Sequence, residues 1–460
     1  MFVNREKELA ALNRAYAEQS SQFIVIYGKR RVGKTELVKQ FFRELPHIYY
    51  LADKASEKDQ LRMLSEKVGL FFQDEFLLSR GFGNWYDCFK YLKTKGRLVL
   101  VIDEFPYLIE ANRAIPSIFQ KGWDEDLKDS GIFLILLGSS IGMMETEVLG
   151  YKSPLFGRRT GQLQVEPLAF DDAWGLFPDA SFPAFLPTYA VLGGTPAYLR
   201  QFDPQADFWD NVRTKILAPD AYLYREPDFI LRAELREPRN YFAILRAISL
   251  GKTKAGEIIN ETGLEKNILG KYLSVLGELK IIRREVPVTE TLPEKSKKGL
   301  HQMADPFFRF WFQFVYPNRS FIEEGQLDFV MERKIKPAFD RFISIAFEDV
   351  CRGLVRSSAW KDCRFERVGR WWSKDGEIDV VATNEAENTI LCGEAKWSIH
   401  KAGTDILEDL KRKAALVPWG KAGRKGILVL FSRSGFTDDL KKRAREEDVI
   451  LWAPEESSAP

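Results

Sequence analysis

Gly28-Lys29-Arg30-Arg31-Val32-Gly33-Lys34-Thr35 sets two glycines, a lysine and a hydroxyl at the spacing G-x-x-x-x-G-K-[ST]. Each of these residue types meets a need of polyphosphate binding. The glycines let backbone N–H groups turn inward around phosphate oxygens, at the positive end of the helix that follows. Lys34 then reaches the β- and γ-phosphates, and the Thr35 hydroxyl can ligate Mg²⁺. The run from Gly28 to Thr35, with Glu36 opening the next helix, is therefore a candidate loop for ATP and its Mg²⁺.

Two flanking elements must hold this loop in shape. Phe23-Ile24-Val25-Ile26-Tyr27 is a short, β-rich, apolar run that reads as a buried strand. Glu36-Leu37-Val38-Lys39-Gln40-Phe41-Phe42 carries apolar residues at helical spacing. A second strand, Arg97 to Glu104, ends in two acids. A phosphate loop needs one carboxylate there to hold Mg²⁺ through water and another to polarise the attacking water. Asp103 is assigned to the metal and Glu104 to the water. A third apolar run, Ile132 to Leu137, ends in Gly138-Ser139-Ser140. Those hydroxyls either sense the γ-phosphate or cap the next helix.

The C-terminal part carries a second chemical signal. A long helix from Phe339 to Val355 includes Glu348, and three strands follow: Arg364 to Trp372, Glu377 to Thr383 and Thr389 to Trp397. The second contains Asp379 and the third contains Glu394-Ala395-Lys396. Residues two apart on a strand share a face, so Glu394 and Lys396 point together, and a hairpin brings Asp379 alongside. Two carboxylates and a lysine at one sheet surface make a magnesium site with a neighbouring cation, which suits phosphodiester hydrolysis. A helix from Asp405 to Leu416 and a strand from Gly426 to Phe431 complete the pattern.

The chain has 460 residues, 45% hydrophobic and 13% aromatic, which gives a prior of about three domains and material for several cores. A net charge of +2 neither demands nor excludes nucleic acid, because a basic face can hide inside a neutral total. Cys88, Cys351, Cys363 and Cys392 lack C-x-x-C spacing, and the histidines are only three, which argues against a thiolate zinc site and a disulfide framework. The opening residues are charged too early for a signal peptide. No apolar stretch approaches the roughly 18 residues of a membrane span. A cytoplasmic protein with no membrane partner is expected. The densest apolar stretch, Pro306 to Tyr316, contains Arg309 and reads as a buried aromatic helix capped by Asp305.

The rhythm of the chain changes in order, within an α/β fold class. Alternating strands and helices give a P-loop NTPase parallel-sheet domain over residues 1–170, and mostly helical patterns with a Gly193-Gly194-Thr195-Pro196 turn give a helical lid over 171–236. Residues 237–300 predict three helices and a strand: Arg239 to Ser249, Lys254 to Glu261, Glu265 to Lys280, then Ile281 to Val286. That order is the winged-helix variety of helix-turn-helix. Its third helix offers Lys266, Asn267 and Lys271 to a major groove, or serves as a rigid arm. A helical connector over 301–338 leads to a C-terminal α/β domain over 339–460.

These marks together resemble the archaeal-type P-loop ATPases of the STAND group, close to AAA proteins, with a restriction-endonuclease-like C-terminal domain. The residues that carry the resemblance are Phe2-Val3-Asn4-Arg5-Glu6, Gly28 to Thr35, Asp103-Glu104, Phe156-Gly157-Arg158-Arg159, Glu166-Pro167-Leu168, Gly193-Gly194-Thr195-Pro196, Gly376-Glu377-Ile378-Asp379 and Glu394-Ala395-Lys396. The resemblance implies that the opening segment, with Asn4 and Arg5, lies against the adenine. It implies that Arg158 or Arg159 faces a phosphate, where a surface ion pair is the alternative, and that the turn at Pro196 couples the lid to the nucleotide. The C-terminal part resembles the PD-(D/E)xK fold at Glu348, Asp379, Glu394 and Lys396. This implies Glu348, Asp379 and Glu394 as metal ligands, Glu394 and Lys396 as catalytic, and DNA as the partner.

Three readings stay open. The first is an ATP-gated, Mg²⁺-dependent nuclease. The second is a nucleotide switch that times homo-oligomerisation or binding of a protein partner, with an inert C-terminal fold. The third is a DNA-binding regulator that works through residues 265–280.

Overall fold

The computed structural model describes residues 3–235 and 237–454. Phe2 of the expected adenine-facing segment, Arg236 at the expected end of the lid, and residues 455–460 of the C-terminal domain lie outside them. The chain forms two compact units. One ends at Leu168 and takes in Thr195–Ala197; the other comprises Ala169–Gly194 and the chain from Tyr198 onward.

The first unit is built on five parallel strands: β1 (Gln22–Tyr27), β2 (His47–Leu51), β3 (Leu98–Asp103), β4 (Ile132–Gly138) and β5 (Gly161–Gln164), in the order β2-β3-β4-β1-β5. Strands covered on both faces read as continuous apolar runs, and alternation sorts their side chains into two cores. Phe23, Val25, Leu98, Leu100, Ile102, Leu134 and Leu136 pack on one face. Ile24, Ile26, Val99, Val101, Phe133, Ile135 and Leu137 pack on the other, together with Leu37, Val38 and Phe41 of the helix Lys34–Phe42. Since β4 separates β1 from β3, the loop after β1 and the acids at the end of β3 face each other across the end of β4.

In the second unit, the helices Arg239–Ser249, Ala255–Thr262 and Lys266–Glu278 lead into an antiparallel ribbon of β6 (Ile282–Glu285) and β7 (Leu300–Met303). The chain between Glu285 and Leu300 is the loop of this ribbon. The aromatic stretch begins as expected, with Asp305 Oδ1 accepting from the Phe307 and Phe308 N–H groups at 3.0 and 3.2 Å. It does not stay α-helical to Tyr316: Pro306–Phe310 widens into a π-turn over Trp311–Val315. Trp311 is fully buried there and its indole donates to Tyr224 O at 2.6 Å.

A mixed sheet of five strands closes this unit: β8 (Arg367–Trp372), β9 (Glu377–Asn384), β10 (Thr389–Lys396), β11 (Lys425–Ser432) and β12 (Ile450–Trp452), ordered β12-β11-β10-β9-β8. β8, β9 and β10 run antiparallel, while β10, β11 and β12 run parallel. The 22-residue helix Lys336–Ser357 packs beside β8, β9 and β10 through residues that include Phe347, Val350 and Cys351. Among the described residues no helix is long and apolar enough to cross a membrane.

Candidate functional site

The loop after β1 is fixed by its glycines and by its own lysine. Gly28 has φ 154°, and a Cβ built on it would meet Val165 O at 2.3 Å, so only glycine lets the loop leave β1 this close to the end of β5. Gly33, with φ 92°, occupies the left-handed N-cap of the helix Lys34–Phe42. Lys34 is buried, and its ammonium donates to Gly28 O at 2.9 Å and Lys29 O at 2.7 Å, holding the loop in a ring. Val32 is fully buried at the base of the ring. Arg31 is exposed with φ 72°, Arg30 is half-buried, and Glu36 is exposed and pairs with Lys39 at 3.5 Å.

Thr35 and Asp103 come together. Thr35 Oγ1 donates to Asp103 Oδ2 at 2.7 Å, and the Tyr49 hydroxyl donates to the same oxygen at 2.6 Å. Asp103 Oδ1 accepts from the Glu104 N–H at 2.8 Å. Burial, then the Asp103 bond, push the Tyr49 phenol well above its ordinary range, so it stays a donor. Glu104 has the left-handed φ of 51°, a conformation that non-glycine residues adopt at a cost. Its carboxylate accepts from Ser139 Oγ at 2.5 and 2.7 Å and from Ser139 N at 3.2 Å. Ser139 thus holds the second acid.

Arg5 anchors the other side of the loop. It is buried, has φ 82°, and one of its terminal nitrogens donates to Val32 O at 3.1 Å and Glu166 O at 2.6 Å. The other reaches Glu8 at 3.0 Å, and the Arg5 N–H donates to Asn4 Oδ1 at 2.6 Å. The opening segment, the phosphate loop and the chain beyond β5 therefore meet at one guanidinium. Arg158 donates to Asp124 Oδ2 at 3.2 Å and to Phe156 O at 3.1 Å, a half-exposed ion pair, which is the alternative weighed for it. Arg159 stacks over Phe156 at 5.8 Å. Pro196 opens the short helix Pro196–Leu199 and groups with this unit.

In the second unit the β9–β10 register sets Val380 opposite Gly393, and one step on Asp379 Oδ2 accepts from the Ala395 N–H at 3.0 Å. The hairpin thus brings Asp379 to Glu394. Glu394 is buried; its Oε1 pairs with Lys396 at 2.9 Å and Lys413 at 3.4 Å, while its Oε2 is buried without a hydrogen-bond partner. Burial and the Asp379 charge raise the Glu394 pKa, and the same two causes push Glu348 up to about 7. The expected three-carboxylate set does not assemble: among the described residues no group of three or more His, Cys, Asp or Glu side chains converges to hold a metal. Like charges in a poorly solvated pocket repel; Glu394 and Glu348 have each turned to a cation, while Asp379 accepts from a backbone N–H. Glu348 lies 3.7 Å from Arg352. What remains is a two-carboxylate arrangement of Asp379 and Glu394 with a free buried oxygen.

Three participants escape the sequence pattern. Tyr49 closes on Asp103 from β2, and Lys413 reaches Glu394 from the helix Thr404–Ala415; neither has a local signal. Arg352 is the exception, because it stands four residues after Glu348 on one helix, at ion-pair spacing. It is buried and donates to Asp379 O at 2.7 Å and to Asp349 at 2.8 Å.

Comparisons with known proteins support an ATPase domain in the N-terminal part of the chain. Residues 2–202 match the model of an ATPase domain found predominantly in Archaea, and residues 311–406 match a family of archaeal and bacterial proteins of unknown function. The second match takes in Glu348, Asp379, Glu394 and Lys396. The uncharacterized protein MJECL04 of Methanocaldococcus jannaschii is 38% identical over 422 residues, 91% of this chain and 92% of the relative. The uncharacterized ATP-binding protein MJ0423 of the same organism is 54% identical over 41 residues, 9% of this chain and 70% of that one. In structure, the Walker-type ATPase PABY2304 of Pyrococcus abyssi superposes with a TM-score of 0.52 at 21% identity, covering 68% of this chain and 96% of that one. This likeness shows a shared fold.

Proposed function

The chain belongs to one family with MJECL04 along nearly its whole length and carries an ATPase domain of the kind found predominantly in Archaea, and we propose that it couples ATP hydrolysis to Mg²⁺-dependent cleavage of DNA by its C-terminal unit. In this reading residues 1–170 are the ATPase domain, 171–236 a helical lid, 237–300 a winged helix, 301–338 a connector and 339–460 a PD-(D/E)xK-like domain, in a STAND-type arrangement.

In the ATPase half, Lys34 exchanges its two carbonyl partners for the β- and γ-phosphate oxygens, which are stronger acceptors. Thr35 and Asp103 already share a hydrogen bond, so their oxygens fit one Mg²⁺. That ion, when bound, offsets charge on the phosphates. Glu104 orients the attacking water, and Ser139 keeps its carboxylate in place until then.

The observation that carries the nuclease half is the buried, unpartnered Oε2 of Glu394, on a strand end beside Asp379 and Lys396. A buried carboxylate oxygen without a donor suits a cation, and Mg²⁺ is commonly held by one or two carboxylates. Asp379 and Glu394 would hold the ion, which lowers the pKa of a water. Lys396 would stabilise charge building on the scissile phosphate. Glu348 stays outside this pair and helps seat Arg352. DNA reaches the site through the exposed Lys266, Asn267 and Lys271 of the third winged-helix helix.

Purified protein with ATP and Mg²⁺ or Mn²⁺ should cut plasmid, linear or single-stranded DNA, and Asp379→Ala should lose cleavage while keeping ATP turnover. Intact DNA under all these conditions contradicts the reading. A second reading, a nucleotide switch with an inert C-terminal fold, draws on one observation: Lys396 and Lys413 both lie against Glu394 and already neutralise it. Oligomer size that follows the bound nucleotide, without cleavage, would favour it.

A further inference from the structure

We propose that a cavity of about 580 Å³ in the C-terminal unit, walled by Arg283, Arg309, Arg341 and Arg370, is an anion site that takes the phosphate of a nucleotide, either free or as the phosphorylated 5′ end of a DNA strand. The strand form rests on the nuclease reading above; the site itself does not.

Arg309 carries the argument. Its Nε is shielded from solvent and has no hydrogen-bond partner, and among the described residues no carboxylate lies within ion-pair distance of it. Its guanidinium stacks over Phe342 at 4.3 Å and reaches Phe342 O only at 3.4 Å. Burial, the leading cause, pulls its pKa down to about 10, although the charges of Asp349 and Glu348 draw it the other way. The residue as a whole is half-buried, but a shielded donor left without an acceptor beside open volume points to an anion that arrives from outside.

The neighbouring arginines differ in a way that fits this role. Arg283 is matched by Asp349 at 3.0 Å, and Arg370 by Glu285 at 3.2 Å and also by Glu377, yet the Arg370 Nε is buried without a partner. Arg341 is exposed on the helix Lys336–Ser357, four and seven residues before Ile345 and Glu348 on the same face. Glu348 is the one carboxylate lining the cavity, and Arg352 stands 3.7 Å from it. Two orphaned guanidinium N–H groups and one exposed arginine at one cavity match a phosphate, which takes several donors at once.

The remaining lining separates into polar and apolar parts. Thr253, Gln302 and Gln313 add hydrogen-bonding groups, whereas Leu250 and Ile345 are 52% and 39% exposed hydrophobics. Exposed apolar side chains at the rim of a basic cavity suit the flat face of a base. The volume lies within the range of roughly 300–1,000 Å³ usual for small-molecule sites. One nucleotide satisfies both parts, with its phosphate on the arginines and its base on the aliphatic rim.

The test uses full-length protein and a 3′-labelled dT10 strand, with and without a 5′-phosphate, read by fluorescence anisotropy, alongside dTMP titrated calorimetrically. The phosphorylated strand should bind about tenfold tighter than the hydroxyl-ended one, as expected for gaining charge-assisted hydrogen bonds. Arg341→Glu, at an exposed position that folding tolerates, and Arg309→Gln should each bring that ratio to one. Lys266→Glu should weaken both strands alike and leave the ratio intact. Binding of dTMP that Arg341→Glu abolishes, with no preference between the strands, assigns the site to a free nucleotide. A ratio of one in the unmodified protein together with no dTMP binding overturns the proposal. Asp379→Ala should leave the ratio unchanged, so loss of cleavage and loss of the anion site are separate failures.

Discussion

Thr35 Oγ1 and Asp103 Oδ2 lie 2.7 Å apart although a whole strand, β4, separates the strands that lead to them. The contact joins the first helical turn after the phosphate loop to the tip of β3. In the order β2-β3-β4-β1-β5 the loop reaches over the end of β4, where Ser139 holds the neighbouring acid.

Asp103 and Glu104 are adjacent in sequence but have different partners, and the proposed reading gives them different work. Asp103→Asn should raise the Mg²⁺ concentration needed for half-maximal ATPase rate by about 10- to 100-fold, the usual range for disturbing a metal's supporting shell. Glu104→Gln should preserve nucleotide affinity and slow turnover by about 10²- to 10³-fold, as for loss of a general base. Steady-state rates with parallel nucleotide titrations separate the two. Equal loss of affinity in both variants would show the roles to be misassigned.

Arg5 should behave as a positioning residue. Arg5→Ala leaves Val32 O and Glu166 O without their charged donor, at about 1.5–3 kcal/mol for each such bond. The ATPase unit should unfold at lower temperature and nucleotide affinity should fall with it. Arg5→Lys should recover only part of both, since an ammonium lacks the planar fork that reaches two carbonyls and Glu8 together. Full rescue by lysine would mean that charge alone matters here.

The two glycines of the loop should differ in cost. Gly28→Ala drives a Cβ to 2.3 Å from a backbone carbonyl that cannot move aside, whereas a Cβ on Gly33 meets nothing within 4 Å and only its φ of 92° opposes alanine. Gly33→Ala should cost about 1–2 kcal/mol from the left-handed backbone, and Gly28→Ala clearly more. Thermal unfolding of the two variants decides, and a larger loss at Gly33 would contradict the packing described at Val165.

Much of this arrangement is legible in the sequence where burial is complete. β1, β3 and β4 are buried along their whole length, apolar but for Gln22 and Asp103, and appear within a residue or two of their expected bounds. β5, Gly-Gln-Leu-Gln, is a half-exposed edge strand and carries no pattern of its own. The hairpin that sets Asp379 beside Glu394 follows from alternation and spacing. Arg352 and Lys396 stand at short spacing from Glu348 and Glu394, whereas Lys413 comes from a later helix, so the failure of the three-carboxylate set has only a partial local sign. Arg5 is the clearest case: its carbonyl partners lie 27 and 161 residues away, and backbone oxygens leave no mark in a sequence.

His301 gives a pH test of the β6–β7 ribbon. Burial, and then Arg284, which faces it across the ribbon, lower its pKa. The folded state therefore binds this proton less readily than the unfolded state, near 6.5, does. The stability it permits is complete above about pH 6.5 and declines as pH falls below that value. With only three histidines in the chain, proton NMR can follow each one. The His301 midpoint should lie below 6.5, and His301→Gln should make the acid-side decline shallower. A midpoint at or above 6.5 would show the ring to be solvated.

The most direct measurement is ATP turnover by purified wild-type protein and Lys34→Ala with Mg²⁺ present, with bound nucleotide followed by equilibrium dialysis. Lys34 closes the loop on itself and, in the proposed reading, would meet the terminal phosphates. The variant should lose productive binding and reduce turnover by at least about 100-fold, as expected when a preorganised charge is removed from the transition state. Full ATPase activity in Lys34→Ala would contradict the assignment of this loop and everything built on it.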